Sequence, residues 1–213
     1  MVDYGYEGPV YPVNPKWKTV LGLRSYPSLG SIGDQCDLVI MAVPIQEVPA
    51  VLKDCARVNC AGAVILSAGG KEIGPKGQDV EADIQKEAKK TGIRIIGPNC
   101  LGILSSKSRL NATFSRQTPL TGKLAFLSQS GAICSTIVDM AIRKHIGFRY
   151  IASLGSLLDV DFGDMIDYLG TKTDVSSIIM YVESLTNFRK FMSAARAVSK
   201  VKPIVVLKAG RTS

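Results

Sequence analysis

The 213-residue chain is 46% hydrophobic and 21% charged, enough apolar content for a buried core and too much for a disordered chain. Its formal net charge is +8, but acids interrupt the basic residues, as from Glu81 to Lys90, and aromatics reach only 7% with no stacking pattern, which argues against a nucleic-acid surface and suits a phosphate-rich ligand or an acidic partner. No apolar run approaches the ~20 residues of a membrane-spanning helix, Met1 to Pro9 is no signal peptide, and Cys36, Cys55, Cys60, Cys100 and Cys134 form no C-x-x-C pair, so a cytoplasmic protein with reduced thiols, no metal site and no membrane partner is expected.

Apolar, β-rich runs alternate with helical patterns, the mark of βαβ units and parallel sheets. Val10 to Asn14 reads as a short strand, followed by a loop punctuated with Pro and Gly. Asp37 to Pro44 is a nearly continuous apolar run and predicts a strand buried on both faces. Gln46 to Asn59 has helical spacing, with Val48, Val51, Leu52 and Cys55 on one side. Ala63 to Ala68 is the next strand, Val80 to Thr91 a charged amphipathic helix stopped by Gly92, and Arg94 to Gly97 another strand.

Arg116 to Gly122 carries turn residues without periodicity and reads as a linker. It separates a first domain, residues 1–115, from a second, residues 123–213. In the second, strands at 123–128, 149–154, 177–182 and 204–208 alternate with helices at 131–144, 162–169 and 187–200. Four strands with three helices between them predict a flavodoxin-like open sheet. The first domain reads as an incomplete Rossmann-like unit, because a doubly wound domain normally opens on a strand, a Gly-rich turn and a helix, and this chain starts at what looks like the second strand.

Ligands of open α/β sheets bind beyond the C-terminal ends of the strands. Lys16 and Asn14 stand at such an end, placed to meet a phosphate and a ribose or base, although a Pro-rich turn with a solvated Lys fits the same words. Pro44 closes the next strand, and Gly69 and Gly70 follow the one after, where they let a ligand approach the backbone. In Gly97-Pro98-Asn99-Cys100-Leu101-Gly102, Gly and Pro set a turn, and Asn99 offers both a donor and an acceptor. Cys100 lies in the same crevice without a nearby base and reads as a small packing residue beside the ligand.

Ser128-Gln129-Ser130-Gly131-Ala132 spans a strand-to-helix junction, where amide N–H groups, the helix dipole and two hydroxyls make an anion site; Ser130 as an ordinary N-cap is the plainer reading. The residue two before Ser128 is Phe126, so the serine-hydrolase elbow fails. Asp159 and Asp161 could bind metal or cap the following helix. Glu183 ends a strand, where a carboxylate could orient a histidine or simply be solvated. His145, the only histidine, stands at a helix end where a cation suits the dipole, and reads as a structural or surface residue rather than a catalytic one.

Taken together these segments, with Gly8 to Lys16, Ser67 to Gly69, Leu110 to Phe114, Ser153 to Gly155, Asp159 to Phe162 and Val206 to Arg211, resemble in order the NDP-forming acyl-CoA synthetases, relatives of the succinyl-CoA synthetase α subunit. Such enzymes join a carboxylic acid to coenzyme A while cleaving ATP or GTP to the diphosphate and phosphate, the phosphoryl group passing through a histidine. The resemblance implies that Asn14, Lys16, Pro44, Asn99 and Cys100 line a coenzyme A site, that Ser128, Ser130 and Gly131 hold phosphate, and that Glu183 supports the phosphohistidine. It also implies a Gly-rich loop ahead of Met1, a histidine beyond Ser213, and an ATP-grasp domain or subunit that binds ATP or ADP with Mg, in a larger, oligomeric ligase. The chain is therefore expected to be a portion that does not turn over alone. A regulatory coenzyme-A-binding module fused to an acetyltransferase, or a non-catalytic coenzyme-A-binding protein, fits the same segments.

Overall fold

The computed structural model describes residues 1–210 of the chain. Arg211, which ends the Val206–Arg211 motif, lies outside the described residues, as do Thr212 and Ser213.

The segment from Val10 to Asn14 does not form the expected strand. Only Val13 makes a single parallel bridge, to Tyr26, flanked by Asn14 N–H to Tyr26 O (2.8 Å) and Tyr26 N–H to Pro12 O (2.9 Å). Pro9, Pro12 and Pro15 have no N–H to donate, so no ladder can propagate on either side. In the loop that follows, β1 (Thr19–Val20) and β2 (Leu23–Arg24) form a small antiparallel hairpin. Its two turn residues, Leu21 (φ 48°) and Gly22 (φ 78°), both adopt the left-handed conformation that tight hairpins require.

The apolar runs form the expected strands and helices. β3 (Leu38–Met41), α1 (Val48–Arg57), β4 (Gly62–Ile65), α2 (Pro75–Thr91) and β5 (Arg94–Ile96) build a three-stranded parallel sheet in the order β3-β4-β5. Contrary to expectation, β3 is not buried on both faces: Leu38, Val39 and Ile40 are only partly buried and Met41 alone is buried, because α1 and α2 pack side by side on one face of the sheet. Met41, Ile65 and Ile95 of the strands bury against Val48, Leu52 and Ile84 of the helices. Helix α2 starts five residues before the expected Val80, because Gly77 is not a breaker here: a Cβ on Gly77 would overlap Gly70 O. Its end is as read, at Gly92 with φ 74° and Lys89 and Lys90 in the last turn, where cations suit the dipole.

A hairpin not legible in the sequence comes next, β6 (Gly102–Ser105) with β7 (Leu110–Thr113). It belongs to the second sheet, through antiparallel pairing of β6 with β9 (Gly147–Ser153). The segment in which the chain passes from one sheet to the other is therefore Gly97–Leu101. Strand β8 (Leu120–Ser128) begins inside the expected linker. Gly122 falls in an irregularity of the ladder between Thr121 and Leu124 and packs against Gly147, where neither position has room for a Cβ, so this glycine marks a bulge rather than a loop.

With α3 (Gly131–Arg143), α4 (Phe162–Gly170), β10 (Ser177–Val182), α5 (Phe188–Val198) and β11 (Ile204–Lys208), the second sheet has six strands in the order β11-β10-β8-β9-β6-β7. Strands β8 to β11 run parallel, the first flanked by the second and third, which is the flavodoxin-like order. Side chains alternate across it. Phe126 and Ile151 pack with Cys134 and Val138 of α3. Ala125, Leu127, Ala152 and Met180 pack on the other face with Phe162 and Ile166 of α4 and Ala194 of α5. The fold is thus α/β, a Rossmann-like unit followed by a flavodoxin-like sheet. Among the described residues no helix is long and apolar enough to cross a membrane.

Candidate functional site

The C-terminal ends of the three strands of the first sheet are tied together in one line. Asn99 N–H donates to Ser67 O at 2.8 Å, and Ser67 Oγ donates to Val43 O at 2.5 Å, next to Pro44. Gly97 (φ 97°) has no room for a side chain, since a Cβ would overlap Ile65 O. Asn99 sits at φ 55°, a conformation that Asn tolerates better than most residues. Its side chain is exposed, and among the described residues its amide has no hydrogen-bond partner. Pro44 is likewise exposed and opens a short 3-10 turn, Ile45–Glu47, that leads into α1.

Cys100 is the buried counterpart of Asn99. It is 3% exposed, its Sγ donates to Ile65 O at 3.2 Å, and burial pushes its thiol up to about 12 against a weaker opposing effect of the Gly102 backbone. A thiol held in its neutral form and hydrogen-bonded to a strand is a packing residue. The amide of Gly69, expected to face a ligand, is occupied by the chain itself: it donates to Glu72 Oε1 at 2.7 Å. Burial raises the Glu72 carboxyl, but the amides of Gly69, Glu72 and Gly70, with Lys71, outweigh it and hold the group below its ordinary value.

Asn14 Oδ1 accepts the backbone N–H of Lys16 at 2.9 Å, closing a local turn and leaving the Asn14 Nδ2 donor and the exposed Lys16 ammonium outward. Among the described residues no hydrogen bond or ion pair joins Asn14 or Lys16 to Pro44 or Asn99. They are anchored instead through Tyr26 and through Tyr11, whose hydroxyl donates to Asp34 Oδ2 at 2.8 Å.

At the end of β8, Ser128 is fully buried, and its hydroxyl is engaged by the Ser130 backbone, accepting from the N–H at 3.0 Å and donating to the carbonyl at 2.9 Å. It shapes the turn from beneath. Ser130 caps α3, its Oγ accepting the Ile133 N–H at 3.3 Å. Gly131 abuts Leu101, whose backbone N would lie 3.4 Å from a Cβ there, so the start of α3 borders the Asn99 turn.

Sequence reasoning passed over Gln129. It is 7% exposed, and its Oε1 accepts two amides, Glu183 N–H at 2.7 Å and Ser184 N–H at 2.8 Å, while its Nε2 donates to Ser184 Oγ at 3.0 Å. Glu183 is thereby held beside the start of α3 with its carboxylate exposed, and its carbonyl accepts Lys208 Nζ at 2.8 Å. His145 lies past the far end of α3 at φ 54° and takes no part here.

Asp159 and Asp161 are both engaged in contacts within the chain. Asp159 accepts Arg94 Nε at 2.9 Å and the Ile95 N–H at 2.8 Å, pinning the second domain to β5. Asp161 caps α4 reciprocally with Asp164, and Lys190 bridges both acids at 3.1 and 2.6 Å. Gly155 (φ 57°) and Ser156 press on the Asn99 turn from the second sheet: Ser156 N–H donates to Pro98 O at 3.0 Å, and a Cβ on Gly155 would lie 2.7 Å from Asn99 O. The two sets of strand ends thus share residues 97–101 as a common wall.

Residues 1–106 match the family of CoA binding domains and residues 121–213 the succinyl-CoA ligase like flavodoxin domain. The chain is 40% identical over 207 residues to the ADP-forming acetate–CoA ligase I of Archaeoglobus fulgidus, covering 97% of this chain and 30% of that protein. It is 37% identical over 216 residues to the α subunit of ADP-forming acetate–CoA ligase I from Pyrococcus furiosus, covering 100% of this chain and 47% of that one. Among solved structures, acetyl-coenzyme A synthetase 1 of Ca. Korarchaeum cryptofilum, in complex with phosphate and ADP, superposes with a TM-score of 0.94 at 36% identity, covering 99% of this chain and 46% of that one. The chain spans less than half the length of each of these three.

Proposed function

Because the chain belongs to the NDP-forming acyl-CoA synthetases, whose α-like region its CoA-binding and flavodoxin-like domains form, we propose that it is the coenzyme-A- and phosphate-binding portion of an acid–thiol ligase. The observation that carries the reading is the line from Asn99 through Ser67 to Val43, which gathers three strand ends into one crevice and leaves the Asn99 amide unpartnered among the described residues.

In this reading Asn99 holds the polar part of coenzyme A, Pro44 and the turn behind it form a second wall, and Cys100 packs underneath. Lys16 and the Asn14 amide nitrogen meet the phosphates and ribose where the ligand leaves the crevice. Phosphate sits at the start of α3, against the Ser130 hydroxyl and the Gly131 amide, where the helix dipole favours an anion. Ser128 supports that turn from below, and Glu183 supports a phosphohistidine supplied by polypeptide outside this chain. Nucleotide and Mg bind an ATP-grasp domain or subunit, the partner in a larger assembly. The acid and coenzyme A are the substrates, the phosphoryl group travelling between the phosphate site and the nucleotide through that histidine.

Calorimetric titration with coenzyme A, with ATP as comparator, tests the proposal. Coenzyme A binding that Lys16→Ala and Asn99→Ala each weaken about tenfold, against silence with ATP, is the expected result. Equal binding by the variants, or no coenzyme A binding, overturns the assignment.

A further inference from the structure

Helix α2 buries Ile84 and Ala88 at helical spacing, and the residue three before Ile84 on that inward face is an acid, Glu81. Glu81 is 7% exposed, and among the described residues no cation lies within ion-pair distance of it. Acids are almost never buried without a partner, because an apolar residue of similar size would be the cheaper occupant. The partner here is a hydroxyl from the other domain: Ser156 Oγ donates to Glu81 Oε1 at 2.6 Å.

The surroundings are built around that carboxylate. A Cβ on Gly70 would stand 2.8 Å from Glu81 Cδ, so the glycine beyond β4 makes room for it. Gly77, one turn earlier on α2, faces the Gly70 carbonyl, which a Cβ at that position would overlap. Ser156, held by Glu81, is the residue whose N–H donates to Pro98 O at 3.0 Å, and its neighbour Gly155 packs on Asn99 O. One line of contacts therefore runs from Glu81 through Ser156 to the Pro98–Asn99 turn, and a second from Glu81 to the Gly70 end of the same crevice.

We propose that Glu81 is a positioning residue for the coenzyme A crevice: through Ser156 it sets the turn that presents Asn99, and it fixes that turn relative to the second domain. The inference rests on the reading of Asn99 as a coenzyme A ligand. Glu81 itself touches no ligand.

The test compares Ser156→Ala, Glu81→Leu, Glu81→Gln and the double variant Glu81→Leu/Ser156→Ala by coenzyme A titration, thermal midpoint and hydrogen exchange at the Asn99 amide. A single buried hydrogen bond acting through the turn predicts that Ser156→Ala and Glu81→Leu each weaken coenzyme A about fivefold and speed Asn99 exchange. The double variant is then no weaker than the weaker single, while Glu81→Gln, which keeps an acceptor for Ser156, stays within about twofold of wild type. A merely structural role lowers the midpoint of Ser156→Ala but leaves its coenzyme A affinity and Asn99 exchange unchanged, and that result overturns the proposal. Should Glu81→Leu fail to fold, Ser156→Ala, which removes one hydroxyl, decides alone. A wild-type chain that does not bind coenzyme A overturns the crevice reading, and this proposal with it; wild-type binding with unaltered Ser156→Ala binding overturns this proposal only.

Discussion

Gln129 and Glu183, 54 positions apart in sequence, are locked together: Gln129 Oε1 accepts the Glu183 N–H at 2.7 Å and the neighbouring Ser184 N–H at 2.8 Å. One buried amide thus fixes the loop after β10 to the turn after β8 and sets where the Glu183 carboxylate stands relative to the start of α3. Replacing Gln129 by Ala leaves two amides without their acceptor, at a cost of about 1–3 kcal/mol. Denaturant unfolding reads the loss, and hydrogen exchange at the Glu183 and Ser184 amides rises more than at the centre of β10. Phosphate affinity falls as well if Glu183 and the start of α3 act as one site.

Gly155 tests the shared wall. Its φ of 57° and its packing against Pro98 and Asn99 leave no room for a methyl group. Backbone strain alone costs about 1–3 kcal/mol, and Gly155→Ala adds a collision with rigid backbone, so its loss falls at the upper end or above. Gly92 has φ 74°, also left-handed, but nothing near its Cβ position, so Gly92→Ala loses only the strain. Thermal unfolding of the two variants side by side separates strain from collision.

Acid lability should trace in part to Asp164. Burial raises its carboxyl, but Lys190, the Asp161 N–H and Arg94 outweigh that and hold it below the ordinary carboxylate value. A depressed folded value means the unfolded chain takes up the proton first as pH falls. The stabilisation is therefore complete above the unfolded value of about 3.9 and is lost as pH drops through the folded one. The difference in stability between wild type and Asp164→Asn is expected to be constant near neutrality and to shrink below about pH 4. A difference that does not change across that range removes Asp164 from the account.

Thiol labelling under native conditions distinguishes packing cysteines from reactive ones. Burial pushes Cys100 and Cys134 up to about 12, against smaller hydrogen-bond effects in the opposite direction. Cys36 is the only one of the five that is not buried, although burial raises its thiol too. Iodoacetamide at about pH 8.5 is expected to mark Cys36 first and spare Cys100 and Cys134 until the chain unfolds, as peptide mass spectrometry would show. Rapid native labelling of Cys100 would contradict its assignment to packing.

The elements that could be read from the sequence are those whose apolar residues run continuously or at a clear helical period. Runs such as Leu124–Ser128 and Ser177–Val182 are apolar because helices cover both sides of their sheet, and that cause is local enough to see; Leu38–Met41 reads the same way although helices α1 and α2 cover one face only. The hairpin Gly102–Thr113 was invisible because it lies at the sheet edge and carries Ser105, Ser106, Ser108 and Asn111, with Asn111 buried but satisfied within its own turn by Thr113 and Ser115. The strand expected at Val10–Asn14 failed for the opposite reason: its β-branched residues suggested a ladder that its prolines cannot extend. For the candidate site, glycines and turn residues marked the strand ends. The residues that hold those ends in place, Gln129, Ser156 and Glu81, had no local signal, because each works through a partner 54 to 75 positions away or, like Ser156, also through the backbone of another loop.

The most direct test of the central claim is a two-dimensional amide NMR titration of the isotope-labelled chain with coenzyme A and, separately, with phosphate. The account predicts that coenzyme A moves the amides of Asn14, Lys16, Val43, Ile45, Ser67 and Asn99, and that phosphate moves those of Ser130, Gly131 and Ala132. Shifts confined to other parts of the molecule, or none at saturating coenzyme A, would contradict it.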